Sequence, residues 1–454
     1  MNRPQISLDS PARTRRASIG LALVLAIGAF VGSGAPGAAP AASAAVPPSA
    51  KVWTSYVLRS SLSYAYGKIA TSETIKIKNT TSVGISSINL SVMPRAFGEL
   101  VSIGNFRLDG RTVAAKWTNS TNLLISFGRT IAPGSSATLT LSFVVKASGT
   151  IGTSLEGRLS KANGIMQVSH WFPIVSDGHN ARYPGDSQST RDARKIRLEI
   201  TTDSTAVKIA APGRRLSLIG RTHVYEIEYA RDFAFGASPN YRTLSASVAG
   251  VAVGVYYTTG NGSAALKHAV AAIAKFEQVY GQYQWPRYIL AQTGRSGSGN
   301  EYPGIVFLGS ALMADRETVA HETAHQWWYA MAGNDQMREP WLDEGIAEFS
   351  AAYFFGDFHP YSSSRPINSS VYDFPNIPAP QTSSQSGSYD QTIYFKSAKF
   401  LEGLRVRMGS TNFFAGLRAF FAANRNGFMS TREFYDTMAR YGASTTYMRQ
   451  FIAL

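Results

Sequence analysis

The sequence has no cysteine among its 454 residues. Disulfide frameworks, thiolate metal sites, iron–sulfur clusters and cysteine nucleophiles are therefore excluded together. Any metal ion must be bound by histidine and carboxylate side chains, and the chain has only 7 histidines. This scarcity makes a close pair of histidines informative.

Charged residues are also scarce, at 16% of the chain, and the acids are fewer than the bases. The 44 Lys and Arg residues against 29 Asp and Glu residues leave a net charge of +15. The basic residues are scattered, with no run beyond Arg13–Arg16, so the pattern does not indicate a nucleic-acid-binding protein. We expect at most a weak association with an anionic cell surface. Since 44% of the residues are hydrophobic, a disordered chain is excluded.

Long hydrophobic runs are absent as well. The apolar stretch 17–31 has 15 residues, whereas a transmembrane helix needs about 20. Arginines precede this stretch, and the small residues Ala42 and Ala44 follow it as in an A-x-A cleavage site. This arrangement predicts a secretory signal peptide over residues 1–45 and a secreted or cell-surface protein. An uncleaved membrane anchor is the alternative interpretation.

The remaining chain divides into two regions of different periodicity. Residues 46–250 contain runs in which apolar and polar residues alternate, such as Leu139, Leu141 and Phe143, and this predicts an N-terminal antiparallel β domain. Residues 251–454 form the predicted catalytic domain, which is mainly helical, so the fold class is α+β. Helices are predicted over residues 263–280, 317–332, 341–355, 397–408, 412–423 and 430–441, the last with a capping box.

The strongest chemical signal is the segment H-E-T-A-H at residues 321–325. His321 and His325 are four residues apart on a predicted helix, so both imidazoles can reach one metal ion. Glu322 lies beside that face, where it can act on a water molecule at the metal. Zinc suits imidazole and carboxylate ligands, and a catalytic zinc ion has three protein ligands and one open position. The alternative is a buried helix with two hydrogen-bonded histidines.

A second predicted helix begins at Pro340, and it supplies the third ligand. Glu344 on this helix follows His325 after 18 intervening residues, and we expect it to complete a site for one Zn²⁺ ion. Histidines that bind metals usually donate their other ring N–H to a carboxylate, a carbonyl or water. Asp343 and Glu348 are therefore candidates to support the histidine ligands.

This arrangement resembles the gluzincin zinc aminopeptidases related to aminopeptidase N. The H-E-x-x-H motif, the spacing to Glu344 and the surrounding sequence W-L-D-E-G are similar to that family. The segment S-G-N-E-Y at residues 298–302 resembles its G-x-M-E-N motif, and Y-F-K-S-A at residues 394–398 resembles its Y-x-K-G-A motif. The fold that the resemblance implies is a saddle-like β domain followed by a thermolysin-like peptidase domain.

The resemblance also implies roles for individual residues. Glu322 would be the general base, and Tyr394 would donate a hydrogen bond to the oxyanion. Glu301 would bind the free α-amino group of a peptide substrate, and the backbone of Gly299 would line an edge strand that pairs with it. Tyr389, five residues before Tyr394, is a further candidate donor or an ordinary loop aromatic.

Some positions depart from the family pattern. Ser298, Asn300 and Tyr302 replace the family's Gly, Met and Asn around Glu301, and Ser397 stands where the family has Gly. The sequence ends at Leu454, with the predicted catalytic domain, so the resemblance implies a short form without the large C-terminal helical domain. These departures affect substrate specificity more than metal chemistry.

Three functions follow in order of preference. The first is an exported zinc aminopeptidase that removes N-terminal residues from peptides. The second is a zinc endopeptidase of the thermolysin-like type. The third is a non-catalytic cell-surface binding module with a structural zinc site, although such a site would need neither Glu322 nor Tyr394.

Overall fold

The computed structural model describes residues 52–96, 98–147, 158–176, 192–374 and 389–454. The predicted signal peptide over residues 1–45 lies outside the described residues. Within the described ranges, no helix combines the length and the apolar character that crossing a membrane requires.

The first part of the described chain is built from β-strands, as predicted. These strands are β1 (Val52–Ser63), β2 (Lys68–Asn79), β3 (Ile85–Ser91), β4 (Leu100–Leu108), β5 (Arg111–Thr112), β6 (Ala114–Trp117), β7 (Asn122–Ile131), β8 (Ser136–Lys146), β9 (Leu159–Ala162), β10 (Ile165–Val168), β11 (Ile174–Ser176), β12 (Ala193–Thr202), β13 (Lys208–Ala210), β14 (Arg214–Ile219), β15 (Thr222–Ala230) and β16 (Phe235–Ser238). One short helix, α1 (Met93–Ala96), interrupts them.

These strands form three sheets. The largest has eight strands in the order β14-β15-β12-β1-β2-β8-β4-β5, and two four-stranded sheets have the orders β13-β16-β10-β9 and β11-β3-β7-β6. Alternate residues of β2 are buried, including Ile69, Ile75 and Ile77, because successive side chains of a strand point to opposite faces of the sheet. The alternation seen in the sequence is therefore the pattern of a sheet with one buried face.

The second part begins with a five-stranded sheet of order β17-β18-β19-β21-β20. Its strands are β17 (Arg242–Val248), β18 (Val251–Tyr257), β19 (Arg287–Gln292), β20 (Gly299–Tyr302) and β21 (Ile305–Leu308). The predicted domain boundary at residue 250 falls in the turn between β17 and β18, two strands of one sheet. The division at that residue stays a prediction.

Helices follow this sheet and complete the second part. They are α2 (Gly262–Tyr280), α3 (Arg316–Ala324), α4 (Glu344–Phe355), a π-helical segment (Asp390–Lys396), α5 (Ser397–Met408), α6 (Ser410–Asn424), α7 (Thr431–Arg440) and α8 (Thr445–Met448), with 3₁₀ turns at Pro340–Leu342 and Val371–Asp373. A β domain followed by a mainly helical domain is the architecture that the sequence predicts.

Two predicted helices differ from the structure. The helix expected over residues 317–332 ends at Ala324, and the following residues form turns. The helix expected from residue 341 begins at Glu344, behind the 3₁₀ turn. In contrast, the predicted capping box is present, with Ser430 and Glu433 bonded to each other's backbone N–H at the start of α7.

Candidate active site

The two histidines of the H-E-T-A-H segment lie at the end of α3. The side chain of Asp315 caps this helix and accepts a hydrogen bond of 2.7 Å from the N–H of Thr318. His321 lies in the last turn, His325 is the residue that ends the helix, and their Nε2 atoms are 3.1 Å apart. One short capped helix thus brings both imidazoles to a single point.

Glu344 comes to the same point from α4. Its Oε2 atom lies 3.3 Å from Nε2 of His321 and 3.3 Å from Nε2 of His325. The donor atoms of all three residues lie within 4.8 Å of one another. The structure therefore brings together the three residues that the sequence predicts as metal ligands.

The second nitrogen of each ring has an acceptor of its own. Nδ1 of His321 is 3.1 Å from Oε2 of Glu348, and Nδ1 of His325 is 3.2 Å from the carbonyl oxygen of Trp328. With Nδ1–H donated to these oxygens, the Nε2 lone pairs face the shared point. Two imidazole nitrogens and one carboxylate oxygen are a donor set that fits zinc.

The early end of α3 produces one of these contacts. In a longer helix the carbonyl of Trp328 would accept the N–H of Ala332, four residues further on. Here the N–H of Ala332 bonds to the carbonyl of Trp327 instead, and the carbonyl of Trp328 turns toward His325. The sequence offered no signal for this contact, because a backbone carbonyl is available at every residue.

The electrostatics of the site favour positive charge. Burial opposes protonation of His321 and His325, but the nearby carboxylates outweigh it and raise the pKa of both imidazoles. Burial likewise opposes ionisation of Glu344, yet the two imidazoles hold its pKa well below its usual value. A buried position that attracts positive charge this strongly is suited to a cation.

The sequence suggests that Asp343 supports one of the histidines, whereas in the structure its carboxylate accepts hydrogen bonds at the start of α4. It is buried and caps α4, with Oδ1 accepting hydrogen bonds from the N–H of Glu344 at 2.9 Å and from Nδ2 of Asn334 at 3.1 Å. Nε2 of Gln336 donates to its other oxygen at 2.6 Å. Burial and the charge of Glu344 raise the pKa of Asp343 to about 7. Asp343 thus holds the start of α4, whereas the histidine contact is made by Glu348.

Sequence reasoning missed Asn334 and Gln336, which fix Asp343. Both amides lie in the connection between α3 and α4, and both are buried. A buried carboxylate needs hydrogen-bond donors, and these two amides supply them.

Gly299 and Glu301 lie on β20, the edge strand of the five-stranded sheet. Glu301 is 4% exposed and pairs in register with Val306 of β21. A β-carbon at position 299 would overlap the carboxylate of Glu322, so the glycine lets the strand lie directly against this side chain. The edge strand and Glu322 therefore belong to one site.

Gln326 ties the β20–β21 hairpin to the segment that carries the two histidines. Its Nε2 donates to the carbonyl of Tyr302 at 3.0 Å, and its Oε1 accepts the N–H of Gly304 at 2.8 Å. Since Gln326 directly follows His325, the hairpin and the histidines are held as a unit. Glu301 is thereby positioned relative to His321 and His325.

Tyr394 reaches the site from the π-helical segment. Its ring stacks on His321, with 5.7 Å between ring centroids and 14° between planes. Burial, and then the charge of Glu344, raise its pKa well above the usual value, so the hydroxyl keeps its proton. Tyr389 lies edge-on to Tyr394 at 6.0 Å. π-Helical segments are rare in proteins, but those that occur often lie at functional sites. The sequence spacing did not predict this one.

Comparison with known proteins finds similarity to peptidases. The peptidase family M1 domain matches residues 264–453. Among curated proteins, mitochondrial aminopeptidase 2 of Saccharomyces cerevisiae is 22% identical over 60% of this chain, and endoplasmic reticulum aminopeptidase 1 of Homo sapiens is 25% identical over 38%. The matches span 30% and 22% of the lengths of those two relatives.

Solved structures show the same fold. A mutant M1 zinc metallopeptidase from Deinococcus radiodurans superposes with a TM-score of 0.69 at 14% identity, covering 89% of this chain and 94% of that one. A further structure of that peptidase, bound to a Tyr-Ser-Ala substrate, has a TM-score of 0.67 at 14% identity and covers 89% and 95% of the two chains. The likeness therefore extends over both the β part and the helical part.

Proposed function

We propose that this chain removes N-terminal residues from peptides, and the match of residues 264–453 to the peptidase family M1 domain supports this. The observation that carries this proposal is the placement of Glu301 on an edge strand that lies against Glu322. A free strand edge can pair with an extended peptide, and a buried carboxylate near its end can bind an α-ammonium group. The substrate would then be anchored by its first residue.

His321, His325 and Glu344 would hold the zinc ion. When bound, zinc polarises the scissile carbonyl and lowers the pKa of water at the site. A catalytic zinc site has three protein ligands and one open position, and these three residues would supply that number of ligands.

Glu322 would act as the general base. It follows the first ligand directly in sequence, and its carboxylate packs against the backbone of Gly299. As general base it accepts a proton from the attacking water and then delivers that proton to the departing amine. The close packing against Gly299 limits the positions of this carboxylate, which is what proton transfer over a short distance needs.

Tyr394 would stabilise the negative charge that develops on the carbonyl oxygen. Its high pKa keeps the hydroxyl protonated, so it remains a hydrogen-bond donor at neutral pH. Its stacking on His321 holds the ring beside the metal ligands. A fixed donor of this kind stabilises the transition state without adding net charge.

The proposal also includes export, because residues 1–45 have the pattern of a signal peptide. Weak association with an anionic cell surface would follow from the net charge of +15. N-terminal sequencing of the protein secreted by its host tests the cleavage near Ala45.

The decisive experiment pairs fluorogenic amino-acid amides with their N-acetylated counterparts. We expect chelator-sensitive hydrolysis of the free amines alone, and Glu301→Ala should abolish most of it. Cleavage of the blocked peptides, unchanged in Glu301→Ala, would identify an endopeptidase instead. A protein that binds zinc but hydrolyses neither series would contradict the peptidase proposal.

A further inference from the structure

A second group of donor side chains lies beside the zinc-ligand site. Glu317 is in the first turn of α3, Glu348 is in the second turn of α4, and His359 is in the segment after α4. One donor atom from each side chain lies within 4.8 Å of the other two. Three separate parts of the chain thus converge here, with two carboxylates and one imidazole.

Glu317 is partly buried, and one oxygen of its carboxylate has no hydrogen-bond partner within the described residues. This oxygen is Oε1, which is itself buried. A β-carbon at position 356 would overlap its carboxylate, so Gly356 lets the backbone close over it. A buried carboxylate oxygen without a donor is costly, and a bound cation removes that cost.

Repulsion between the carboxylates of Glu317 and Glu348 also favours a bound cation. Burial raises the pKa of Glu317, and the charge of Glu348 raises it further, while His359 acts in the opposite direction. No Lys or Arg ion pair to Glu317 or Glu348 is present within the described residues. Positive charge between these side chains would relieve the repulsion.

The donor types select the kind of cation. Ca²⁺ and Mg²⁺ take oxygen ligands almost exclusively, whereas an imidazole with carboxylates suits Zn²⁺ and similar divalent transition ions. His359 is exposed, and its ring contacts Phe395 with 4.9 Å between centroids. The imidazole is therefore accessible to an ion from solvent.

We propose that Glu317, Glu348 and His359 form a second site for a divalent transition-metal ion such as zinc. This site shares a residue with the first one, because Glu348 accepts the hydrogen bond from Nδ1 of His321. An ion that draws charge from Glu348 weakens this support of His321. Occupation of the second site therefore lowers zinc affinity at the first, and by linkage the converse holds.

The test is a calorimetric titration of the full chain, already loaded with one zinc ion, with further Zn²⁺. We expect a second binding event in the wild-type protein. Glu317→Gln and His359→Ala should lose this event and keep the first ion, with far-ultraviolet circular dichroism confirming the fold. Asp357→Asn is the matched control, since it removes one negative charge two residues from His359 and spares the three donors.

Two results would overturn the proposal. One is wild-type protein that stays at one zinc ion per chain through the titration. The other is an equal loss of the second event in Asp357→Asn and Glu317→Gln, which would mean that general negative charge attracts the ion.

The consequence for activity rests on the proposed function and is measured separately. Excess zinc should inhibit hydrolysis of amino-acid amides in the wild-type protein and inhibit the His359→Ala variant less. Absence of hydrolysis at one zinc ion per chain would count against the peptidase proposal and leave the titration to decide on the second site. Full activity with both sites occupied would overturn the coupling through Glu348.

Discussion

The backbone of Gly299 and the carboxylate of Glu322 are packed against each other, although 22 residues separate them in sequence. The contact joins the edge strand of a sheet to the helix that carries both histidines. Any side chain at position 299 would occupy the space of the carboxylate. Glycine is therefore required here by the close approach of the Glu322 carboxylate, since the backbone angles at this position do not demand it.

Gly299→Ala should lower kcat by about a hundredfold or more, because a displaced general base loses much of its contribution. Zinc content and thermal stability should change little. Gly297→Ala is the control, because a β-carbon at position 297 would meet no atom within 4 Å. Equal kcat values for the two variants would show that Glu322 tolerates the added methyl group.

Glu348→Gln should weaken zinc binding by about tenfold to a hundredfold, since the amide is a poorer acceptor for Nδ1–H of His321. Competition with a chromogenic chelator measures this affinity. Glu402→Gln is the control, because Glu402 forms a surface ion pair with Arg405 on α5. An unchanged zinc affinity in Glu348→Gln would show that Glu348 does not contribute to zinc binding through His321.

Tyr394→Phe should reduce kcat by about a hundredfold to a thousandfold while KM and zinc content stay close to wild type. The ring can still stack on His321, so the variant removes the donor alone. Tyr389→Phe serves as the comparison and should show a much smaller loss. A larger loss of kcat in Tyr389→Phe than in Tyr394→Phe would show that Tyr389, and not Tyr394, donates the hydrogen bond to the oxyanion.

Glu73→Leu should stabilise the protein at neutral pH. Glu73 is fully buried in the eight-stranded sheet between Leu58 of β1 and Leu141 of β8, and its carboxylate has no hydrogen-bond partner among the described residues. A buried polar group left in this state costs about 1–3 kcal/mol. Urea denaturation at neutral pH should therefore give a higher free energy of unfolding for the variant.

The same residue makes stability depend on pH. Burial raises the pKa of Glu73 well above 4.5, so the folded state holds a proton that the unfolded state has released. The wild-type protein should thus lose stability as pH rises from about 4.5 toward the raised pKa, and Glu73→Leu should flatten this slope. Glu199→Gln, on the exposed side of the same sheet, should leave the slope as it is. A Glu73→Leu variant less stable than Glu199→Gln at every pH would contradict the assignment.

Local patterns predicted much of the fold because they depend on residues close in sequence. The alternation in β2 follows from the pleat of a strand, and the capping box of α7 needs only Ser430 and Glu433. The spacing of His321 and His325 is likewise a property of one helical turn. The strand β19 was missed because it is buried on both faces, so its residues do not alternate.

Other features had no local signature. The end of α3 at Ala324 depends on turns that bring the carbonyl of Trp328 back to His325, although the apolar residues after it favour a longer helix. The place of Asp343 depends on Asn334 and Gln336, whose amides face a carboxylate only after the two helices pack. Competing tertiary contacts decide such boundaries, and a sequence pattern does not contain them.

The sequence by itself determined which side chains are available for metal binding: the absence of cysteine restricts metal ligands to histidine and carboxylate, and the spacing from His321 to Glu344 predicts three such ligands from two consecutive helices. Only the tertiary structure decided which groups support them. Glu348, and not Asp343, contacts a histidine ring, Gly299 packs on Glu322, and Glu317 meets His359. The physical reason is that ligand identity depends on side-chain type and local spacing, whereas hydrogen-bond partners and close packing depend on how distant segments fold together.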